Sequence, residues 1–227
     1  MDTAINMLVE DFNEAFKDLK QLLTTQGWLL PHLNANMRNQ KNIYNLVVKG
    51  TSRSKTDTCN TVLPRLRIGS TVVGELPTLI KVRRWHWDEK KKEVLKYCVE
   101  LVDQHTERNI IILHDLNFLS HEIENDLQEV QNSKTVLSYP CVGNKEQGRK
   151  HFQDFCEMIG HLLITQEKYF NGCEAPNVIY LTEGGFGARN PMLRAVERLV
   201  CVLRLLPNED FISIHGVKED NTFYQNK

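Results

Sequence analysis

Residues 109–114 read Asn-Ile-Ile-Ile-Leu-His, a short β-branched run of the kind that forms a fully buried strand. A charged helix is predicted before this run, over residues 88–107, and an acidic helix after it, over residues 118–130. The alternation continues along the chain, with strands predicted over residues 135–139, 177–181 and 211–214 and helices over residues 145–164 and 190–206. Such alternation predicts a three-layer α/β domain, in which a mostly parallel sheet carries helices on both faces.

The segments before residue 88 are organised differently. Residues 4–24 place apolar side chains at helical spacing and predict an amphipathic helix. Residues 70–83 favour one or two strands, interrupted by Gly74 and Pro77. We therefore divide the chain into an N-terminal helical segment (1–30), an α/β domain (31–216) and a frayed tail (217–227).

The composition limits the function classes. The chain has 227 residues, of which 41% are hydrophobic and 25% charged, so it can bury a core, and disordered or fibrous classes are excluded. Its net charge is −1, so a contact with nucleic acid has to be local rather than carried by bulk charge. No apolar run is long enough to span a membrane, and the start of the sequence is unlike a secretory signal. We expect an intracellular protein, cytoplasmic or nuclear.

The six cysteines are scattered, and none forms a C-x-x-C pair. Several lie in apolar runs, as Cys98 and Cys201 do, so we expect buried free thiols. His114 and His121 have no cysteines at ligand spacing, and we expect no metal site.

Three segments carry residues suited to phosphate chemistry. They are residues 33–43 (LNANMRNQKNI), residues 170–180 (FNGCEAPNVIY) preceded by Thr165, and residues 192–202 (MLRAVERLVCV) preceded by Arg189. The chain contains no G-x-x-x-x-G-K-[ST], so it has no Walker loop to cradle a triphosphate. Because ligands of parallel sheets bind beyond the carboxyl ends of the strands, we expect the three segments to converge there.

In this order the three segments resemble motifs IV, V and VI of the second RecA-like lobe of UvrD-type superfamily 1 helicases, which are P-loop NTPases. The resemblance covers residues 33–202. It implies that ATP with Mg²⁺ lies between this lobe and a separate first RecA-like lobe, which supplies the Walker loop. By itself this chain would bind neither ATP nor Mg²⁺ and would be catalytically inert. The partner lobe would be part of the same protein or act in trans.

The resemblance also implies roles for individual residues. Arg38 and Arg194 would be arginine fingers that neutralise charge developing on the γ-phosphate. Glu174 would accept a hydrogen bond from the nucleotide sugar, Gly172 would permit close backbone approach, and Met37 takes the place of the residue that stacks on adenine. Thr165 would contact the backbone of a nucleic acid.

A basic and aromatic cluster, Arg83, Arg84 and Trp85, is a second candidate for contact with single-stranded DNA or RNA, since tryptophans stack on unpaired bases. The alternative is a strand end whose tryptophans pack beneath the following helix.

Two other functions stay open. Leu193 stands where the family has a hydroxyl residue before the motif VI arginine. Together with the missing Walker loop and Met37, it is compatible with a non-enzymatic interaction module derived from a degenerate NTPase lobe. Ser52 and His215 would be the nucleophile and base of a small α/β hydrolase, although no G-x-S-x-G elbow is present.

Overall fold

The computed structural model describes residues 18, 21, 35–36, 38–50, 67–103, 107–116, 120–130, 133–141, 144–170, 173–183, 192, 194–205 and 214–224. The chain divides into two compact units, Met1–Ala35 with Pro64–Arg67, and Asn36–Leu63 with Ile68–Lys227. In the first unit Asp18 and Gln21 are helical, and the rest of the helix predicted over residues 4–24 lies outside the described residues.

The described helices and strands follow one another as β1 (Ala35–Asn36), α1 (Lys41–Gly50), β2 (Arg67–Ile68), β3 (Thr78–Arg83), α2 (Arg84–Val102), β4 (Ile110–His114), α3 (Ser120–Val130), β5 (Thr135–Tyr139), α4 (Lys145–Glu157), β6 (His161–Gln166), a 3₁₀ turn (Glu167–Tyr169), β7 (Ala175–Thr182), β8 (Ala195–Leu205) and β9 (Lys218–Asp220).

Seven of these strands form one sheet in the order β5-β6-β4-β7-β8-β3-β9, and every described pairing in it is parallel. β4 shows why the sheet is buried on both faces, because all four of its apolar side chains are inaccessible to solvent. Ile110 and Ile112 pack with side chains of α2 and α3. Ile111 and Leu113 pack on the other face with α1 and α4. The three-layer α/β fold is therefore confirmed.

Two predicted helices are corrected by the sheet. The helix predicted over residues 145–164 ends at Glu157, and His161–Gln166 forms β6 between β5 and β4. The helix predicted over residues 190–206 is instead the strand β8, Ala195–Leu205, which lies between β7 and β3. Residues 199–205 are buried on both faces, because each neighbouring strand supplies a hydrogen-bonding partner and each helical layer supplies apolar contacts.

Two boundaries also differ from the predictions. The strand expected within residues 70–83 begins only at Thr78, after Pro77, whose ring nitrogen cannot donate to a ladder. α2 begins at Arg84 instead of residue 88, so Arg84 and Trp85 of the basic and aromatic cluster lie in its first turn, whereas Arg83 ends β3. Of the last predicted strand, Ile214 is described and is not in a strand.

The expectation of a frayed tail after residue 216 is corrected by β9. Lys218–Asp220 pairs in parallel with Thr78–Ile80 of β3. The backbone bond from Lys218 N to Pro77 O, at 2.8 Å, starts this pairing.

Within the described ranges, none of the helices has both the length and the apolar character that crossing a membrane requires. The expectation of buried thiols is confirmed for Cys98 and Cys201, whose pKa values burial raises. It is wrong for Cys156, which is exposed, and Cys59 lies outside the described residues.

Candidate functional site at the amino edge of the sheet

The three motif-bearing segments meet in the second unit. The guanidinium of Arg38 forms an ion pair with the carboxylate of Glu174. The backbone N–H of Ala175 donates to the carbonyl of Arg194 at 3.1 Å. Asn39, next to Arg38, donates its side-chain amide to Ala195 O at 2.6 Å. We call Arg38, Glu174 and Arg194 the amino-edge cluster.

This cluster lies at the amino ends of its strands and not at their carboxyl ends. Ala175 is the first residue of β7 and Ala195 the first of β8, so Glu174 and Arg194 come immediately before parallel neighbours. The expected convergence of the segments is present, but its expected edge is corrected. The carboxyl-end rule concerns loops that follow strands, whereas Glu174 and Arg194 precede theirs.

The backbone beside Arg38 is held from two directions. Asn39 is buried, and its side-chain bond to Ala195 holds this segment against β8. A backbone bond from Gln40 N to Val196 O, at 3.3 Å, adds to this attachment. The first N–H groups of α1, Lys41 and Asn42, donate to carbonyls of the segment 72–74 at 2.9 and 3.1 Å. These bonds satisfy backbone N–H groups that have no partner within the first turn of a helix. They also fix the position of the backbone next to Arg38.

The charges of the cluster are accessible. The side chains of Arg38 and Glu174 are 51% and 48% exposed, and an ion pair in such a setting adds little stability. Two further pairs lie at the same edge: Arg108 with Glu197, and Arg198 with Glu75 at 3.3 Å. Sequence analysis missed Arg108, because only the strand order brings it near β8. At this edge, therefore, a phosphate could replace the glutamate carboxylates that pair with the arginines.

The remaining residues of the predicted nucleotide site and of the hydrolase are described only in part. Met37, Gly172 and Ser52 lie outside the described residues. His215 is exposed in a turn before β9.

The residues predicted to contact nucleic acid lie at the carboxyl edge of the sheet. Thr165 is fully buried in β6, paired with Tyr139 and Leu113 of the neighbouring strands, and its burial argues against a contact with nucleic acid. Arg83 ends β3, and Arg84 and Trp85 open α2.

Around Arg83 the chain forms an aromatic–cation cluster, which we define as Lys81, Arg83, Trp85 and Tyr224. Arg83 Nη2 donates to the Tyr224 hydroxyl at 2.9 Å. Its guanidinium carbon lies 5.1 Å from the ring centre of Tyr224 and 5.9 Å from that of Trp85, and Lys81 Nζ lies 5.4 Å from the Tyr224 ring. Trp87 is buried in the core, but it lies within α2 and not at a strand end beneath it, as the packing alternative had predicted, whereas Trp85 is only half-buried.

A hydrogen-bonded network connects side chains at the centre of the carboxyl edge. Asp115, directly after β4, accepts from Thr182 Oγ1 at 2.6 Å and from the Tyr180 hydroxyl at 3.0 Å. The same hydroxyl lies 3.3 Å from a carboxylate oxygen of Glu167. Burial raises the pKa of Tyr180 and that of Glu167. The network joins the ends of β4, β6 and β7 and has the character of a structural brace.

Comparison with known proteins supports the fold. No protein-family model and no curated protein matches this sequence. Among solved structures, the C-terminal domain of a possible DNA helicase from Lactobacillus plantarum WCFS1 is 12% identical, with a TM-score of 0.50, over 82% of this chain and 99% of that domain. A chain in the structure of the E. coli DEAD-box protein SrmB bound to RraA is 16% identical over 57% of this chain and 77% of its own length. Its TM-score of 0.41 is too low to support an argument. The seven-stranded parallel sheet with helices on both faces is thus a RecA-like fold, similar to that of a helicase C-terminal domain.

Proposed function

We propose that this chain is the second RecA-like lobe of a helicase-like NTPase of the UvrD type, superfamily 1. It supplies Arg38 and Arg194 to a nucleoside triphosphate held with Mg²⁺ on a separate first lobe. One observation carries the proposal: residues far apart in the sequence meet in the amino-edge cluster, around the ion pair of Arg38 and Glu174.

The chemistry follows from the residue types. A guanidinium stays charged at all relevant pH values and can bind two phosphate oxygens at once. Arg38 would exchange the Glu174 carboxylate for the γ-phosphate, and the released carboxylate would then accept from the sugar hydroxyls. Arg194 would stabilise the charge that develops during transfer. The Walker loop, with its phosphate and Mg²⁺ contacts, belongs to the first lobe, so the isolated chain has no catalytic activity, although its arginines can still attract a polyphosphate at low salt.

Exposed apolar side chains support a protein partner at this edge. Among the described residues, five of the six exposed large hydrophobic side chains precede strands: Val72, Val73 and Leu76 before β3, and Met158 and Ile159 before β6. Like Arg194 they come before strands of the parallel sheet, and interfaces are enriched in exposed apolar side chains together with arginines. The same surface also favours the alternative, an interaction module without catalysis.

Binding of inorganic tripolyphosphate to the isolated chain tests the anion site. We expect Arg38→Ala and Arg194→Ala each to weaken binding by about tenfold at low salt, since a charge-assisted hydrogen bond is lost. Arg149→Ala, an exposed arginine on α4, is the matched control and should leave affinity unchanged. Equal losses in all three variants would refute the arginine assignment.

The catalytic role needs the assembled lobes. With a Walker-bearing first lobe present, Arg194→Ala should lower ATP turnover by roughly 10³-fold, as loss of an arginine finger does. Unchanged turnover in this variant would refute the role of Arg194, and a complex that forms without any turnover would favour the non-enzymatic module.

Arg83, Arg84 and Trp85 are our proposed contact with single-stranded nucleic acid. Arg84 is exposed and Trp85 half-buried, so both a cation and an aromatic face are accessible. Binding through these side chains would weaken as salt is raised.

A further inference from the structure

We propose that Tyr224 occupies, within the chain, the place where an unpaired nucleobase would lie against Arg83, beside Lys81 and Trp85, so that residues 218–224 limit the access of single-stranded nucleic acid. This inference rests on the proposed contact of Arg83 and Trp85 with nucleic acid. It is independent of the anion site at the amino edge.

Residues 218–222 are firmly attached. β9 pairs with β3 over three residues. Glu219 forms an ion pair of 3.2 Å with Lys81, whose side chain is almost fully buried. The Tyr97 hydroxyl on α2 donates to Asp220 Oδ2 at 2.7 Å, and Thr222 donates to the other oxygen of this carboxylate.

Phe223 continues the attachment. Its carbonyl lies 2.9 Å from Nδ1 of His86, in the first turn of α2. Its ring meets Tyr97 edge to face, with ring centres 5.6 Å apart, and packs on the core between the sheet and α2. The chain is thereby brought to the carboxyl end of β3.

Tyr224 is the end of the described segment and is held differently. Its ring is half-buried and packs on the opposite face of the sheet from Phe223. Its hydroxyl accepts from Arg83, and its ring lies 5.4 Å from Lys81 Nζ. A hydrogen bond and cation–π contacts at a half-exposed site are exchangeable, whereas the strand pairing before them is not.

The Tyr224 ring reproduces the features by which a base would be bound. It is a flat π-surface beside two cations, with an oxygen at its rim that accepts from a guanidinium as a base carbonyl does. The exposed Arg84 adjoins the cluster and could pair with the phosphodiester that a base brings with it. Glu219 carries a negative charge 3.2 Å from Lys81, one of these two cations. Because residues 218–223 are attached, Tyr224 is present at high effective concentration and competes with a free strand.

Fluorescence anisotropy with a fluorescein-labelled oligo(dT) of 15 nucleotides at low salt tests the inference. Tyr224→Ala should tighten binding by about fivefold or more, because the competing ring is gone while Trp85 and the cations remain. Tyr224→Phe, which keeps the ring and loses the hydroxyl, should give a smaller gain. Trp85→Ala should weaken binding, and Tyr224→Ala combined with it should behave like Trp85→Ala alone.

The controls separate this inference from its premise. Tyr169→Ala removes an exposed tyrosine elsewhere and should change nothing. Thermal unfolding identifies any variant that fails to fold. If Trp85→Ala weakens binding but Tyr224→Ala and Tyr224→Phe do not tighten it, Tyr224 is no competitor and the inference fails alone. If neither the parent chain nor any variant binds the oligonucleotide, the nucleic-acid contact fails and the inference with it.

Discussion

Among the described residues, His114 is the histidine whose protonation is expected to affect stability near neutral pH. It ends β4, is fully buried, and places Nε2 3.0 Å from the Ser120 hydroxyl at the start of α3. Burial lowers its pKa below the ordinary value, only partly offset by the adjacent Asp115 and a backbone interaction with Leu116. The unfolded chain therefore binds the proton more readily, and the free energy of unfolding should fall as pH drops from about 6.5 towards the folded-state pKa.

Urea unfolding between pH 8 and pH 5 measures this effect. His114→Gln keeps a polar side chain at the site but does not titrate, so its stability should depend less on pH across this window. The slope is the readout, since the substitution can also lower the absolute stability. An unchanged slope in the variant would show that other groups carry the pH dependence.

At the level of the elements, the sequence predicts some strands well and others wrongly. β4 and β5 are short, apolar and bounded by turns, so their sequence pattern predicts a strand and does not also suit a helix. β8 has the sequence AVERLVCVLRL, in which charged residues and leucines also suit a helix. Its strand conformation comes from β7 and β3 on either side, and a local pattern does not contain those partners.

The candidate site divides in the same way. The order of its segments was enough to predict that the segments with Arg38, Glu174 and Arg194 come together. The edge was predicted wrongly, because β8, which Arg194 precedes, was assigned as a helix, and the position of Glu174 before the strand predicted over residues 177–181 was not weighed. Arg108 and Tyr224 could not be predicted, because each reaches its site through pairing with a distant strand.

Asn39 should matter more to stability than its neighbour Asn42, since both join α1 to another element but only Asn39 is buried. Asn39→Ala removes the donor to Ala195 O and leaves that carbonyl unpaired, at a cost of about 1–3 kcal/mol. Asn42→Ala removes a 2.9 Å bond to Gly74 O, which water can replace, and should cost less.

Chemical denaturation of both variants gives the comparison, and tripolyphosphate binding adds a second readout. If Asn39 holds the start of α1 so that Arg38 faces the anion site, its variant should also lose affinity for tripolyphosphate. Equal stability losses in Asn39→Ala and Asn42→Ala would contradict the role assigned to burial.

At the level of the whole molecule, the sheet separates two candidate sites. β8 runs from Ala195 at the amino-edge cluster to Leu205, which is in register with Arg83 of the aromatic–cation cluster. Eleven extended residues span about 33 Å. The described residues between the sites form a buried parallel sheet.

Coupling between distant sites requires an element with two arrangements that both ligands influence. In the proposed function such an element arises from movement of this chain against a first lobe, so the isolated chain should bind its two ligands independently. Arg38→Ala should leave the oligo(dT) affinity unchanged within about twofold, and Trp85→Ala should do the same for tripolyphosphate. A cross-effect in the isolated chain would show that the lobe itself switches. Independence here, followed by a cross-effect once a first lobe is added, would place the coupling in the movement of the two lobes.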